Sequence, residues 1–233
     1  MQPHKKKVKT EYQNRLPHIA PIGATFFVTF RLGDSLPKST IDELRKELKT
    51  KVAILERNKG KGYKNEIRKE KERFFKKYDH QLDIRSFGSC YLKQAEIAKI
   101  ICDKLHELDG DKYELIAYCI MPNHVHVLFD TAIQVVDEEG FFLKNIPENY
   151  FQLNQIMKLI KGSTAFAANR VLNRKGKFWQ KDSFDRYIRD EEELWRTIYY
   201  IIENPVKAKL VEHWKEFSYT YLANRFSLSL MGE

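Results

Sequence analysis

The sequence predicts an α+β fold of the ferredoxin-like type, in which helices cover an antiparallel sheet. The predicted elements follow the order strand, helix, two strands, helix, strand, helix. The two consecutive strands are joined by a turn of about three residues, so we expect them to pair antiparallel. With 233 residues, of which 42% are hydrophobic, the chain can bury a core as one large domain. We expect helices on one face of the sheet, plus a C-terminal helix that carries two adjacent tyrosines.

The first strand is predicted at residues 24–32, where apolar side chains alternate with their neighbours at Phe26, Val28, Phe30 and Leu32. A helix begins at Pro37, with apolar residues at helical spacing at Ile41, Leu44 and Leu48. A second helix is predicted at 94–108, and the pair Asp109-Gly110 ends it. These elements are typical of an amphipathic layer that packs on a sheet.

The stretch 113–120 is apolar on both faces, which predicts a central strand. A turn at 121–123 leads into its partner strand at 124–129. A helix is predicted at 153–172, with the apolar residues Ile156, Met157 and Ile160 facing inward. Residues 178–189 can supply a fourth strand, and Asp190 opens one more helix.

The positive charge is concentrated in two segments of the chain. In total, 41 Lys and Arg against 32 Asp and Glu give a formal net charge of +9. Residues 1–15 hold five Lys or Arg against one Glu, and residues 51–80 hold eleven against five acidic residues. Such segments form either solvated helix surfaces or contacts with phosphates, because phosphate neutralisation supplies most nucleic-acid affinity. Two glycines within 58–63 predict a flexible joint between helices.

The composition excludes several classes of protein. The three cysteines have no C-x-x-C spacing, so neither a disulfide framework nor a cysteine zinc site is encoded. There is no run of about 18 apolar residues, and the first residues lack the apolar segment of a signal peptide. We therefore expect a cytoplasmic protein with no membrane segment, reduced cysteines and an anionic partner.

His124 and His126 lie on one face of the predicted strand, because side chains alternate along a strand. The other face of this strand carries Val125, Val127 and Phe129, and we expect it to point toward the core. Two imidazoles about 7 Å apart along a strand can both bind one divalent ion that has further ligands from elsewhere. An isolated His-x-His pair more often consists of two exposed strand histidines, so a second landmark is needed.

The second landmark is the helix that begins at Asp190, a suitable N-cap with Glu193 as its capping-box partner. The apolar arc of this helix is centred near Ile198. It also contains Leu194, Trp195, Ile201 and Ile202.

Two tyrosines lie differently around this helix. Tyr199 lies at the edge of the apolar arc, whereas Tyr200 lies about 160° from its centre, so burial alone does not explain Tyr200. Asn204 follows one turn later on the same face, and Pro205 is expected to end the helix there. Ordinary packing of both tyrosines is the alternative.

Five blocks, the histidine motif among them, follow one another along the chain. The blocks are Ala117-Tyr-Cys-Ile-Met-Pro-Asn-His-Val-His-Val-Leu128, Phe178-Trp-Gln180, Asp185, Ile188-Arg-Asp190 and Tyr200-Ile-Ile-Glu-Asn-Pro-Val-Lys207. Together they resemble the single-tyrosine HUH transposases, most closely the branch of REP-associated tyrosine transposases. The resemblance implies an HUH endonuclease fold for a catalytic domain at 20–222. A basic arm at 1–19, a basic helical insertion at about 51–80 and a tail at 223–233 would complete the chain.

The resemblance implies that Tyr200 is the nucleophile and that His124, His126 and Asn204 bind Mg²⁺ or Mn²⁺. In such enzymes the tyrosine attacks single-stranded DNA, leaving a 5′-phosphotyrosine and a free 3′-hydroxyl. A phenol has a pKa near 10 and is a poor nucleophile at neutral pH, so the metal must polarise the phosphate. Because the intermediate preserves the phosphodiester energy, we expect no nucleotide cofactor. Mg²⁺ prefers oxygen ligands, so a two-histidine site should hold it weakly.

The implied partner is single-stranded DNA with a hairpin of REP-like structure, bound by a monomer or a homodimer. We expect an N-terminal basic arm, basic residues beside the site and one tryptophan to contact it. These residues are Lys5, Lys6, Lys7, Lys9, Lys158, Lys161, Arg170, Arg174, Lys175, Lys177 and Trp179. The alternatives are surface solubility for the basic residues and a core position for the tryptophan.

Two other functions stay open. A domesticated protein that holds structured single-stranded DNA without cutting it would keep the basic segments but would not need the histidines, the tyrosine and the asparagine together. An unrelated His-x-His metallohydrolase with zinc would leave the tyrosine helix and the positive charge unexplained. No role can be assigned from the sequence to the insertion at 51–80 or to residues 141–150.

Overall fold

The computed structural model of the protein describes residues 11–13, 17–84 and 88–230. Seven strands are found in this part of the chain. They are β1 (Glu11–Gln13), β2 (Pro17–Ile19), β3 (Thr25–Arg31), β4 (Glu114–Ile120), β5 (His124–Asp130), β6 (Phe184–Tyr187) and β7 (Thr220–Leu222). The first two pair only with each other, and the other five form one antiparallel sheet in the order β6-β3-β5-β4-β7.

The helices connect and cover these strands. They are α1 (Lys38–Asn58), α2 (Tyr63–Ile84), α3 (Ala95–Glu107), α4 (Leu153–Val171), α5 (Glu191–Ile202), α6 (Asn204–Lys207) and α7 (Asn224–Leu230). Short 3₁₀ turns lie at Tyr91–Lys93, Ala132–Gln134 and Trp214–Glu216. Within the described ranges, none of these helices combines the length and the apolar character that crossing a bilayer requires.

The register of the three inner strands defines the two faces of the sheet. Opposite residues of antiparallel strands point to the same face. Thr29 of β3 and Cys119 of β4 both lie opposite His126, and Arg31 lies opposite His124. The histidines therefore share one face with these residues, and the alternate residues of β5 point to the other face.

Both faces of the sheet are covered. Val125, Val127 and Phe129 pack in one core with apolar residues of α3 and α4. On the histidine face, Ile198 of α5 and Phe75 of α2 pack in a second core around β3, β4 and β5. The predicted α+β fold with an antiparallel sheet is confirmed. α3 and α4 form the layer on one face, and the additional tyrosine-bearing helix lies on the other.

The boundaries differ from the prediction mainly at the sheet edges. The fourth strand is only four residues long, because its pairing with β3 is interrupted at 181–183, and the earlier part of the predicted strand keeps a single bridge between Trp179 and Leu32. The edge strand β7 is an addition to the prediction. The division into arm, catalytic domain and tail stays a prediction, and residues 1–10 of the arm lie outside the described residues.

The basic insertion forms a helical hairpin made of α1 and α2. The joint predicted at 58–63 lies between them, where Lys59 adopts a left-handed backbone conformation with φ of 34°. Ion pairs join the two helices, including Lys51 with Glu70 at 3.1 Å and Lys77 with Glu47 at 2.7 Å. Much of the positive charge in this segment therefore lies on solvated helix surfaces, where acidic residues of the hairpin partly neutralise it.

Candidate metal and nucleophile site

The two strand histidines are buried and point at each other. Both side chains have no exposed surface, and their Nε2 atoms lie 3.0 Å apart. The Nδ1 atom of His124 donates to Asn123 Oδ1 at 2.7 Å, and Nδ1 of His126 lies 2.8 Å from Thr29 Oγ1. These partners hold both rings in orientation and leave the Nε2 atoms directed at one point, as in metal sites. The alternative of two exposed strand histidines does not hold for this pair.

Asn204 joins the histidines from the end of the tyrosine helix. Helix α5 ends at Ile202, and Asn204 is the first residue of the short helix α6, which contains Pro205. The Asn204 side chain is buried, and its Nδ2 atom lies 3.3 Å from His126 Nε2. Its Oδ1 atom has no hydrogen-bond partner among the described residues. The structure therefore brings together the three residues predicted to bind a metal.

Two carboxylates of α2 complete the surroundings of the histidines, and the sequence analysis missed both. Asp79 Oδ1 lies 3.4 Å from His126 Nε2, and Asp83 Oδ1 lies 3.7 Å from His124 Nε2. Asp79, His124 and His126 offer ligand atoms that all lie within 4.8 Å of one another. The available signal was the spacing: the two aspartates lie four residues apart, on one face of a helix.

Hydrogen bonds from the sheet hold α2 over the site. Arg31 Nε donates to Tyr78 Oη at 2.6 Å, and Asn123 Nδ2 donates to the carbonyl of Leu82 at 3.2 Å. Each of these α2 residues immediately precedes one of the two aspartates. The position of the carboxylates is therefore determined by contacts of residues that flank the histidine strand.

Tyr200 is the tyrosine that meets the site. Its half-buried ring lies 5.5 Å from the ring of His126 and 5.9 Å from that of Phe27, and its hydroxyl donates to Asp79 Oδ2. Tyr199 is 42% exposed. The two adjacent tyrosines thus occupy different surroundings, and only the hydroxyl of Tyr200 is bonded to a residue of the site in the described structure.

The start of the tyrosine helix is fixed by its cap. Asp190 Oδ1 accepts a hydrogen bond from the backbone N–H of Glu193 at 2.7 Å, as predicted for an N-cap. The predicted reciprocal bond of the capping box is replaced, because the Glu193 carboxylate pairs with the guanidinium groups of Arg186 and Arg189. These charge-assisted bonds satisfy a buried carboxylate better than one backbone N–H does.

Burial controls the charges in the site. It lowers the pKa of His124 to about 3, with the Arg31 guanidinium adding to the shift. It also lowers the pKa of His126 well below its usual value, helped by His124 and Lys207. Both imidazoles are therefore neutral near pH 7, which is the form that binds metal ions.

The same burial acts on the carboxylates in the opposite direction. It raises the pKa of Asp79 well above its usual value, with the charge of Asp83 adding to the effect and Lys207 opposing it. It raises the pKa of Asp83 to about 7, again opposed by Lys207. A divalent cation would supply the missing counter-charge for both groups.

The predicted DNA-contacting residues of α4 and the following loop lie elsewhere. Since α4 packs on the Val125 face, the outer surface of this helix is on the opposite side of the sheet from the histidines. This differs from the predicted position beside the site. The residues that are exposed are Lys158, Arg170, Lys175 and Lys177. Contact of this surface with DNA stays a prediction, and Lys5, Lys6, Lys7 and Lys9 lie outside the described residues.

Lys161 and Arg174 of that set make contacts within the protein. Lys161 Nζ donates to the carbonyl of Lys181 at 2.8 Å and lies 3.1 Å from Ser183 Oγ. The guanidinium of Arg174 lies 5.1 Å from the ring centre of Tyr91.

The indole of Trp179 is 5% exposed. Its Nε1 atom donates to Thr164 Oγ1 at 2.9 Å, and its ring contacts that of Phe30 with the centres 4.8 Å apart. These contacts match the alternative of a core position for Trp179.

A comparison with curated proteins supports the resemblance seen in the sequence. No family model matches the chain. A Haemophilus influenzae protein named as a REP-associated tyrosine transposase is 31% identical over 108 residues, which are 46% of this chain. The chain spans 58% of the length of that relative. A solved structure of a REP-associated tyrosine transposase bound to a REP hairpin is similar over 89% of this chain and 82% of its own, with 14% identity and a TM-score of 0.49.

Proposed function

We propose that this chain is an active member of the REP-associated tyrosine transposases, the group named for the Haemophilus influenzae relative that is 31% identical over 108 residues. It cuts and rejoins single-stranded DNA by a metal-dependent transesterification. The observation that carries the proposal is the position of Tyr200, whose ring packs 5.5 Å from that of His126, beside two Nε2 atoms 3.0 Å apart.

The reaction exchanges one phosphoester bond for another. Tyr200 Oη forms a bond to phosphorus while the bond from phosphorus to the 3′ oxygen breaks, so the phenol loses a proton and the 3′ oxygen gains one. The product is a 5′-phosphotyrosine, and attack by a 3′-hydroxyl reverses the step. Since the bond energy is retained, no nucleotide cofactor takes part.

The donor set fits a divalent cation. His124, His126 and Asn204 would hold Mg²⁺ or Mn²⁺, which supplies positive charge against the phosphate when it is bound. The two imidazoles are already neutral, and their Nε2 atoms are directed at one point. The Nδ2 atom of Asn204 lies 3.3 Å from His126 Nε2, and the Oδ1 atom of the same amide has no hydrogen-bond partner among the described residues. Rotation of that amide by 180° would turn the oxygen toward the histidines.

The proposed substrate is single-stranded DNA that contains a hairpin of REP-like structure, in the cytoplasm. The solved structure of a REP-associated tyrosine transposase contains a REP hairpin, which is the partner of that protein. For this chain, the net charge of +9 and the exposed basic residues of α4 support an anionic polymer as the partner. A monomer or a homodimer would act on it.

A covalent-adduct assay tests the proposal. The protein is incubated with Mn²⁺ and a pool of hairpin oligonucleotides labelled at the 3′ end, because the fragment that stays on a 5′-phosphotyrosine carries that end. Denaturing gels should show a labelled protein band for wild type and for Tyr199→Phe, but none for Tyr200→Phe. The proposal fails when wild type forms no adduct with any member of the pool, or when Tyr200→Phe forms as much as Tyr199→Phe.

A further inference from the structure

Three buried oxygen atoms around the histidines have no hydrogen-bond partner among the described residues. They are Asp79 Oδ1, Asp83 Oδ1 and Asn204 Oδ1. A buried carboxylate or amide oxygen without a partner is costly, so such atoms usually bind a water molecule, an ion or another ligand. Asp79 and Asn204 are almost completely buried, at 3% and 1% exposed. Their grouping in one place points to a bound cation.

We propose that Asp79 links the metal ion to the nucleophile: its Oδ1 atom binds the ion, while its Oδ2 atom holds the hydroxyl of Tyr200. Asp83, one helical turn later, is a second carboxylate ligand. The inference rests on the proposed function and extends it. It assigns two metal ligands to α2, the second helix of the hairpin that the basic insertion forms. The basic hairpin is then part of the catalytic centre and not only an accessory surface.

The two carboxylate oxygens of Asp79 already contact different partners. Oδ2 accepts the hydrogen bond from Tyr200, and Oδ1 lies 3.4 Å from His126 Nε2. One carboxylate group therefore faces the nucleophile with one atom and the histidines with the other. A bound ion and the tyrosine hydroxyl would lie on neighbouring oxygens of a single rigid group.

The distances between the donors suit six-coordinate binding. Neighbouring ligand atoms around a Mg²⁺ ion with bonds of about 2.1 Å lie about 3 Å apart. The separations from His126 Nε2 are 3.0 Å to His124 Nε2 and 3.4 Å to Asp79 Oδ1, and the amide of Asn204 lies at 3.3 Å. Asp83 Oδ1 lies 3.7 Å from His124 Nε2. A small adjustment of side chains brings these atoms to the spacing of a coordination shell.

The charges also favour a cation at this position, although Lys207 offsets part of the negative charge of the two aspartates. Two carboxylates neutralise a divalent cation, whereas the two imidazoles and the amide alone would leave it uncompensated in a buried site. The carboxylate oxygens also supply the ligand type that Mg²⁺ prefers and that a two-histidine site lacks. The hydrogen bonds of Tyr78 and Leu82 to the sheet keep both aspartates at this position.

Mn²⁺ binding tests the inference without reference to activity. Full-length wild type, Asp79→Asn, Asp83→Asn and His126→Ala are titrated with Mn²⁺, and free Mn²⁺ is measured by electron paramagnetic resonance. Glu66→Gln is the matched control, because Glu66 is an exposed carboxylate of the same helix that pairs with Lys69. We expect Kd to rise at least about tenfold for the three site variants and to stay unchanged for the control. Circular dichroism checks that each variant is folded, which the isosteric Asn should allow.

The outcomes separate the inference from the proposed function. When His126→Ala loses Mn²⁺ affinity but Asp79→Asn binds as tightly as Glu66→Gln, the inference is overturned and the histidine site stands. When His126→Ala also binds like wild type, the proposed metal site itself is wrong.

A second measurement tests the link to Tyr200. At saturating Mn²⁺, the single-turnover rate of adduct formation should recover fully in Asp83→Asn but stay at least about tenfold low in Asp79→Asn, because only Asp79 also positions the nucleophile. Full recovery of Asp79→Asn would contradict the link.

Discussion

Asp79 accepts a hydrogen bond from the hydroxyl of Tyr200, although 121 positions separate the two residues in the chain. The bond joins α2 to α5 on the histidine face of the sheet. Both helices also meet in the second core, where Phe75 and Ile198 pack with residues of the inner strands. The position of Tyr200, the proposed nucleophile, therefore depends on the packing of the basic hairpin as well as on its own helix.

Replacement of Phe75 by alanine should weaken this packing. The Phe75 ring stacks on that of Phe184 at 4.1 Å and lies 5.5 Å from Phe27 and 6.0 Å from Tyr200. Truncation of a buried phenylalanine costs about 3–5 kcal/mol, so the free energy of unfolding in urea should fall by that amount. Phe166→Ala is the control, because Phe166 is 68% exposed and should change the stability by less than about 0.5 kcal/mol. If both variants changed the free energy of unfolding equally, the packing of Phe75 would not contribute to stability as predicted.

Removal of the N-cap should destabilise the tyrosine helix. Asp190 accepts a hydrogen bond from the backbone N–H of Glu193 at 2.7 Å. Asp190→Ala should lower the free energy of unfolding by about 1 kcal/mol, because it leaves a helix N–H without its acceptor. Asp190→Asn keeps an acceptor and should lose much less in the same urea titration. If Asp190→Asn lowers the free energy of unfolding as much as Asp190→Ala does, the stabilisation comes from the charge of Asp190 and not from its hydrogen bond.

The stability of the protein should depend on pH through Lys161. Burial lowers the pKa of this lysine to about 8 from its ordinary value of 10.5, although Asp182 opposes the shift. Between these values the unfolded chain binds more protons than the folded protein, so this lysine makes folding more favourable as the pH rises. The stability of wild type relative to Lys161→Met should therefore increase from pH 8 to pH 10.5, measured by urea unfolding. Lys158→Met, on the exposed side of the same helix, controls for net charge, and a difference independent of pH would contradict the prediction.

Binding of single-stranded DNA should depend on salt through the basic surface of α4 and the loop after it. About five phosphate contacts predict a slope of log K against log salt of about −3.5, from about −0.7 for each contact. Alanine at Lys158, Lys175 or Lys177 should make the slope less steep by about 0.7 for each residue that meets a phosphate, measured by fluorescence anisotropy. Lys99→Ala removes an exposed lysine that pairs with Asp103 on α3 and should leave the slope unchanged. Identical slopes in all variants would favour solubility as the role of these residues.

Local patterns in the sequence predict the parts of the structure that depend on local geometry. The period of two along β5 places His124 and His126 on one face, and the helical period separates Tyr200 from the apolar arc around Ile198. The first expectation agrees with the structure, where the two histidine rings meet. The second does not: Tyr199 is the exposed member of the pair, and Tyr200 packs in the second core, because Phe75 of α2 covers that side of the tyrosine helix.

The parts that the sequence does not predict depend on long-range packing. The helical spacing of the apolar residues in α4 shows which side of the helix is buried, but not which face of the sheet the helix covers. For the same reason, Asp79 and Asp83 lie on a helix with no local sign that it packs over the histidines. Their position follows from contacts such as Arg31 with Tyr78, between elements far apart in the chain.

The order of these elements along the chain has a consequence during synthesis. A ribosome makes α2 first, then the histidine strand, and the tyrosine helix only later. Because folding proceeds from the N-terminal side as the chain emerges, the aspartates and histidines can assemble before Tyr200 exists. A nascent chain that is released early would hold the proposed metal ligands of α2 and β5 but not the proposed nucleophile. Under the proposed function, the ability to break a DNA strand is thus acquired late in translation, when four of the five strands of the main sheet have been made.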